Sequence, residues 1–182
     1  MCIRDRKKPG ALTLAAVGPG SASQIAFEML KKDAQIDMTF VPYQGTLPAI
    51  GAMLGEHVTS VFTAYPDVID QINSGKVRAL AVASASRIKP LPDVPTVVES
   101  GYIDIVADLW YGVVAPARTP KKTLTQLAGW FNAAVRSPAV SEKLLSQGLF
   151  PVGGSGGEFG ALMRRYYDDY GRIVREANMK ID

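Results

Sequence analysis

Residues 18–24 read Gly-Pro-Gly-Ser-Ala-Ser-Gln, a composition suited to seating an anion. They follow an apolar run at 12–17 and lead into Ile25, Ala26, Met29 and Leu30, whose spacing is helical. Gly20 permits a tight turn, Ser21 can cap the helix, and Gln24 can reach back as in a capping box. Ser21, Ala22 and Ser23 then form the helix mouth. Its first amides have no partner inside the helix and lie at the positive end of its dipole, so they suit a carboxylate or phosphate. An ordinary strand-to-helix turn is built from the same residues. What surrounds the turn must separate the two readings.

Other chemistries are poorly served. His57 is the only histidine. It follows Gly55-Glu56 in a helix-to-strand turn, at the sheet edge opposite the candidate loop, where it can assist no nucleophile. Asp67 and Asp70 share a helix face without a third ligand, and the adjacent Asp168 and Asp169 point apart. Neither pair has the acid-rich loop of a calcium site, and one histidine cannot make a zinc site. A dinucleotide fingerprint would need glycine where Ser23 stands, and no Lys-Ser/Thr pair follows as a P-loop requires. The expectation is no catalytic residue, no metal and no cofactor.

Elements that would position the seat are legible in the hydropathy pattern. Strand-like runs at 12–17, 38–43, 58–62 and 77–82 alternate with helical runs at 22–32 and 48–54, and with one from Pro66 to just before Gly75. Pro48 and Pro66 stand in first turns, and Gly75 stands where a helix commonly stops. Such alternation, with near-continuous apolar strands, predicts an α/β fold with a parallel sheet covered on both faces. Loops at the carboxyl ends of such strands gather at one edge, where ligands bind. Three loops are therefore expected side by side: the one through Ser23, the one through Tyr43, Gln44 and Gly45, and the one through Thr63, Ala64 and Tyr65. Tyr43 and Tyr65 can offer a hydroxyl while packing their rings, although aromatics at such positions more often only pack.

A proline-rich stretch at 88–95 follows, then a short turn capped by Thr96 and ended by Gly101. Residues 108–116 read as a buried strand, and helices are expected from Thr119-Pro120 to Arg136, from Ser137-Pro138 to before Gly148, and over 158–177. Phe159, Leu162, Met163, Tyr166, Tyr170, Ile173 and Val174 form one face of the last helix, which suits core packing. Gly153–Gly157 reads as a hinge or tight turn. These helices have too little sheet to cover, so some further element is expected to cover them.

Composition narrows the classes. The chain has 182 residues, 47% of them hydrophobic, enough for a real core. The net charge of +3 is spread over isolated pairs without aromatic interleaving, which argues against nucleic acid. No run is long enough for a membrane span, so no membrane insertion is expected, and the amino end has no apolar signal core. Residues 1–7 match no periodic pattern and are read as a leader foreign to the natural protein. Cys2, the one cysteine, falls within them.

Several segments together resemble the Bug family, the substrate-binding proteins of tripartite tricarboxylate transporters. Val41-Pro42-Tyr43-Gln44-Gly45 is similar to its Val-Pro-Tyr-Lys-Gly element, and Ser74 to Val82 to its Gly-Lys-Leu-Arg-Ala-Leu-Ala-Val strand. Leu91-Pro92-Asp93-Val94-Pro95-Thr96 with Glu99-Ser100-Gly101 resembles its Leu-Pro-Asp-Val-Pro-Thr-x-x-Glu-x-Gly run. Trp110-Tyr111-Gly112, Ala115-Pro116, Thr119-Pro120, Gly148 and Gly153-Gly154 keep the same register, so the resemblance runs from about residue 8 to 182.

The resemblance implies a periplasmic-binding-protein-like (type II) architecture of two domains. Residues 8–106 would be the second, complete domain and 107–182 the carboxyl-terminal part of a first domain whose amino-terminal part is missing. It further implies a periplasmic receptor, not an enzyme, that closes on a small organic carboxylate and delivers it to membrane permease subunits. Gly20, Ser21, Ala22 and Ser23 match the loop that grips a ligand carboxylate. Tyr43, Gln44 and Gly45 match its neighbour, with Gln44 in place of a frequent lysine. Thr63-Ala64-Tyr65-Pro66 stands where Asp-Asn-x-Pro-like residues are common, and Thr59 replaces a frequent aspartate, which leaves the ligand's far end unspecified. Two other classes are to be weighed: a small α/β enzyme on an anionic substrate with Ser21 as nucleophile, and an intracellular effector-sensing module of the same fold.

Overall fold

The computed structural model describes residues 9–102, 105, 107 and 109–179. The expected leader lies outside them. Within the described residues the elements run β1 (Thr13–Val17), α1 (Ala22–Ala34), β2 (Thr39–Tyr43), α2 (Thr46–Leu54), β3 (Ser60–Val61), α3 (Tyr65–Asn73), α4 (Lys121–Arg136), α5 (Pro138–Ser146) and α6 (Gly156–Glu176). The chain divides into two compact units, one of 110–171 and the other of the residues on either side.

The first unit is built on a parallel sheet of order β2-β1-β3. Five residue pairs join β1 to β2, from Thr13 opposite Thr39 to Val17 opposite Tyr43, and Leu14 and Ala15 lie opposite Ser60 and Val61 of β3. Strand side chains alternate between faces, and β1 uses both. Leu14 and Ala16 pack with Phe27 and Ala34 of α1, and with Ile36 and Met38. Ala15 packs with Ala49 and Ala52 of α2, and with Val58. One helix therefore covers each face, and the chain reverses its winding between β1 and β3. Phe27 stacks on Phe40 at 5.7 Å, fixing α1 against the sheet.

The β1–β3 ladder is short, and threonines extend it at its amino end. The Thr13 and Thr59 amides each donate to the other's hydroxyl oxygen, at 2.8 and 2.9 Å. The Thr59 and Ser60 hydroxyls both donate to the Thr13 carbonyl. Thr59 thus clasps β3 to β1 at the amino end of both strands.

Two expected strands are not formed. Residues 77–82 make no ladder, only an isolated bridge from Val82 to Thr96, and Leu80 is half exposed. The described residues of 109–116 are irregular, and Leu109, Trp110, Tyr111, Val113 and Val114 are all exposed; Asp108 lies outside the described residues. An apolar run becomes a strand only where a neighbour offers matching N–H and C=O groups. Among the described residues the first run meets such a neighbour only at Val82 and the second meets none.

The turn at Thr96 is a reciprocal capping box. The Glu99 amide donates to Thr96 Oγ1 at 2.9 Å and the Thr96 amide to Glu99 Oε2 at 2.8 Å. The Thr96 amide, and after it the Arg87 guanidinium, hold the Glu99 carboxyl below its usual value of 4.5. A lowered folded-state value means that the stabilisation is present above the ordinary carboxylate range and is lost as pH falls through the lowered value. Acidification is therefore expected to loosen this turn. Protection of the Thr96 amide, corrected for the intrinsic slowing of exchange, should fall on acidification, and Glu99→Gln should remove that pH dependence.

In the second unit, α4 and α5 begin and end within two residues of expectation. Of Gly153–Gly157, residues 153–155 form a tight turn and Gly156 and Gly157 open α6. Asn132 brackets Gly154 through two hydrogen bonds of 2.7 and 2.9 Å, and Ser155 and Glu158 form a second capping box at the start of α6. Phe159 lies over Gly112, leaving no room there for a Cβ, and meets Trp110 edge-on at 5.1 Å. No residue from 110 to 171 is buried. The expected stripe on α6 is only half covered there, and its single buried member, Ile173, belongs to the first unit, where Glu176 also pairs with Lys32 at 2.7 Å.

Candidate functional site

Each of α1, α2 and α3 starts just past the carboxyl end of β1, β2 and β3 respectively, so their amino termini line one edge of the sheet. The order β2-β1-β3 makes the gap between β1 and β3 the point where connections diverge, the usual ligand crevice of an open α/β sheet.

At α1, Ser21 is the cap. Its backbone is extended (φ −70°, ψ 155°), and its Oγ accepts from the Gln24 amide at 3.3 Å. The same hydroxyl donates to the Val17 carbonyl at 2.7 Å. Gln24 Oε1 accepts from the amide of Gly20, one residue before the capping-box position, at 2.8 Å, and Gly20 holds the positive φ of 75° that such a turn needs. The first helical bond runs from Ile25 to Ser21. The Ala22 and Ser23 amides precede it and so have no partner within the helix. Both residues are half-buried, and the Ser23 hydroxyl lies 3.4 Å from that of Ser21. The seat's open donors are therefore the Ala22 and Ser23 amides, with Gly20 and Ser21 shaping the loop.

At α2 the cap is Gly45, with φ of 118° and no side-chain capping bond; Gln44 beside it is exposed. The Tyr43 ring packs on the Ala15, Ala49 and Val58 cluster, and its carbonyl accepts from the Gly18 amide at 3.0 Å, tying the first two loops together. At α3 the cap is Ala64, and Tyr65 is already the first helical residue. The Thr63 hydroxyl donates to Asp67 Oδ2 at 3.1 Å. The sequence reading treats Asp67 only as half of a weak carboxylate pair. The signal for its place at the edge is its spacing of four from a loop threonine. Of the three helices, α3 alone has an acid in its first turn.

His57 lies in the turn between α2 and β3, exposed, at the amino end of β3 and away from these loops. Trp110 and Tyr111 belong to the second unit. Among the described residues no group of three His, Cys, Asp or Glu side chains could hold a metal. The Ser21 hydroxyl faces a carbonyl, which is no base, so the geometry does not favour Ser21 as a nucleophile.

A model of the tripartite tricarboxylate transporter family receptor matches residues 2–179. The chain belongs to that receptor family. Protein BugT of Bordetella pertussis is 31% identical over 176 residues, covering 97% of this chain and 54% of that protein. Among solved structures, an R. palustris protein with adipate is 25% identical with a TM-score of 0.89, over 98% of this chain and 60% of that one. The periplasmic binding protein BugD is 28% identical with a TM-score of 0.81, over 98% and 60%. The α/β fold is thus that of periplasmic binding proteins. The chain spans about half the length of BugT and of two further curated relatives. The family is one of receptors and not of enzymes, and no described helix is long and apolar enough to cross a membrane.

Proposed function

We propose that this chain contributes one wall of a periplasmic receptor that captures a small organic carboxylate by closure of two domains and delivers it to the membrane permease subunits of a tripartite transporter. The observation that carries the reading is the pair of open amides, Ala22 and Ser23, at the diverging point of the sheet in a chain of this receptor family. The R. palustris relative solved with adipate supports a carboxylate as the class of ligand. In this reading the acid group sits on α1, with Tyr43, Gln44 and Gly45 on one side and Thr63, Ala64 and Tyr65 on the other.

Magnitudes support the mechanism. A hydrogen bond to a charged acceptor contributes about 1.5–3 kcal/mol and a helix terminus about 0.3–1 kcal/mol. Three or four such contacts approach the roughly 8 kcal/mol of a micromolar receptor after the costs of association. Water exclusion on closure strengthens each of them.

Residues 110–171 fit the role of a domain portion completed by polypeptide outside this chain, because none of them is buried and their apolar residues at 110–114 are exposed. The chain alone is accordingly expected to bind carboxylates weakly.

Calorimetric screening of the full-length receptor against organic acids tests the proposal; silence toward all of them, with binding of phosphate esters instead, would overturn it. Ser21→Ala removes the cap that holds the loop, worth about 1 kcal/mol, and should weaken binding several-fold. His57→Ala should leave the affinity within twofold. Equal effects of the two would contradict the site.

A further inference from the structure

We infer that Asp67 sets the sign of the ligand's second polar group: the receptor takes a carboxylate bearing an ammonium or hydroxyl group beside the α3 wall and rejects a second carboxylate there. This inference rests on the carboxylate seat proposed above and specifies its substrate class.

A census of formal charge carries it. Across residues 18–24, 43–49 and 63–68, which make the three loops and the first turns of α2 and α3, there is no lysine, arginine or histidine. Asp67 is the one charged residue among them. The α1 and α2 mouths have no acid of their own, whereas Asp67 already complements the dipole of α3. An anion is therefore welcome at the first two mouths and opposed at the third.

Position makes the charge count. Asp67 is exposed and tethered to the loop leaving β3 by the Thr63 hydroxyl. β3 is the immediate neighbour of β1 on the side of the diverging point. Neighbouring strands are about 4.8 Å apart, so the loop that carries Thr63 leaves the sheet beside the α1 mouth, and Asp67 is bonded to that loop. A carboxylate on the ligand's adjacent end would meet it with no cation from this wall to offset the repulsion. An ammonium group would be attracted, and a hydroxyl could share the Thr63–Asp67 hydrogen bonding.

Titration of the full-length receptor with three probes of matched length, succinate, 4-hydroxybutanoate and 4-aminobutanoate, tests this. The unaltered receptor should prefer 4-aminobutanoate to succinate. Asp67→Asn keeps an acceptor for Thr63 and a tolerated first-turn residue, and should shift the affinity ratio toward succinate by about tenfold, with 4-hydroxybutanoate within about twofold. Asp70→Asn, one turn further from the edge, should leave the ratio unchanged. A ratio that Asp67→Asn does not move, or that Asp70→Asn moves equally, overturns the assignment to Asp67 while the carboxylate seat stands. Silence toward all three probes and every other organic acid overturns the seat, and this inference with it.

Discussion

Replacing Ala22 by proline should lower the carboxylate affinity of the full-length receptor by roughly 10- to 150-fold and leave its thermal midpoint nearly unchanged. Ala22 is the first residue of α1, the position where proline is best tolerated, because its amide has no helical partner to lose. The residue before a proline must be extended, and Ser21 already is, with ψ of 155°. The substitution therefore deletes one N–H and little else. If that N–H holds a carboxylate oxygen, its loss removes a charge-assisted bond of about 1.5–3 kcal/mol, which is the fold-change stated. Calorimetric titration beside a melting curve separates the outcomes. An affinity unchanged within twofold would mean that the acid group does not sit on the α1 amides.

The largest loss of stability is expected from Phe27→Ala. Phe27 is 1% exposed and lies among Leu14, Ala16 and Met38, with Phe40 stacked on its ring. Truncating such a side chain leaves a cavity and costs about 3–5 kcal/mol. Native proteins hold only about 5–15 kcal/mol in total. The same ring sets how α1 lies on the sheet, so carboxylate affinity should fall with it. Urea unfolding of the variant provides the measurement, and a loss below 1 kcal/mol would show that the ring is not a main contact between α1 and the sheet.

Local signals were legible in the sequence wherever a few adjacent residues decide the geometry. Ser21 and Gln24 mark the start of α1, Pro66 and Gly75 bracket α3, and Pro120 and Pro138 open α4 and α5. The alternation of apolar runs also gives a parallel sheet with its loops at one edge. Pairing was not legible. Residues 77–82 and 109–116 are as apolar as β1, but nothing in them tells whether another strand lies alongside. Nor does anything near Thr59 in the sequence show that its hydrogen-bond partner is Thr13, 46 residues away. At the site, the loops could be named, but not which donors are already spent. Gln24 is expected to reach back, but that it takes the Gly20 amide and not that of Ser21 is a matter of side-chain reach that residue types do not reveal. Asp67 reads only as a pair with Asp70, because residue types do not show that the Thr63 hydroxyl bonds it.

The absence of any buried residue from 110 to 171 bears on how this polypeptide matures after synthesis. The first unit carries its own dry interior, whereas the second relies on one capping box, an asparagine bracket and half-covered rings to resist fraying. Amide protons of α4 and α5 should exchange with deuterium far sooner than those of α1. Until another surface shelters Trp130 and Phe131, this stretch presents the kind of exposed apolar surface that favours aggregation.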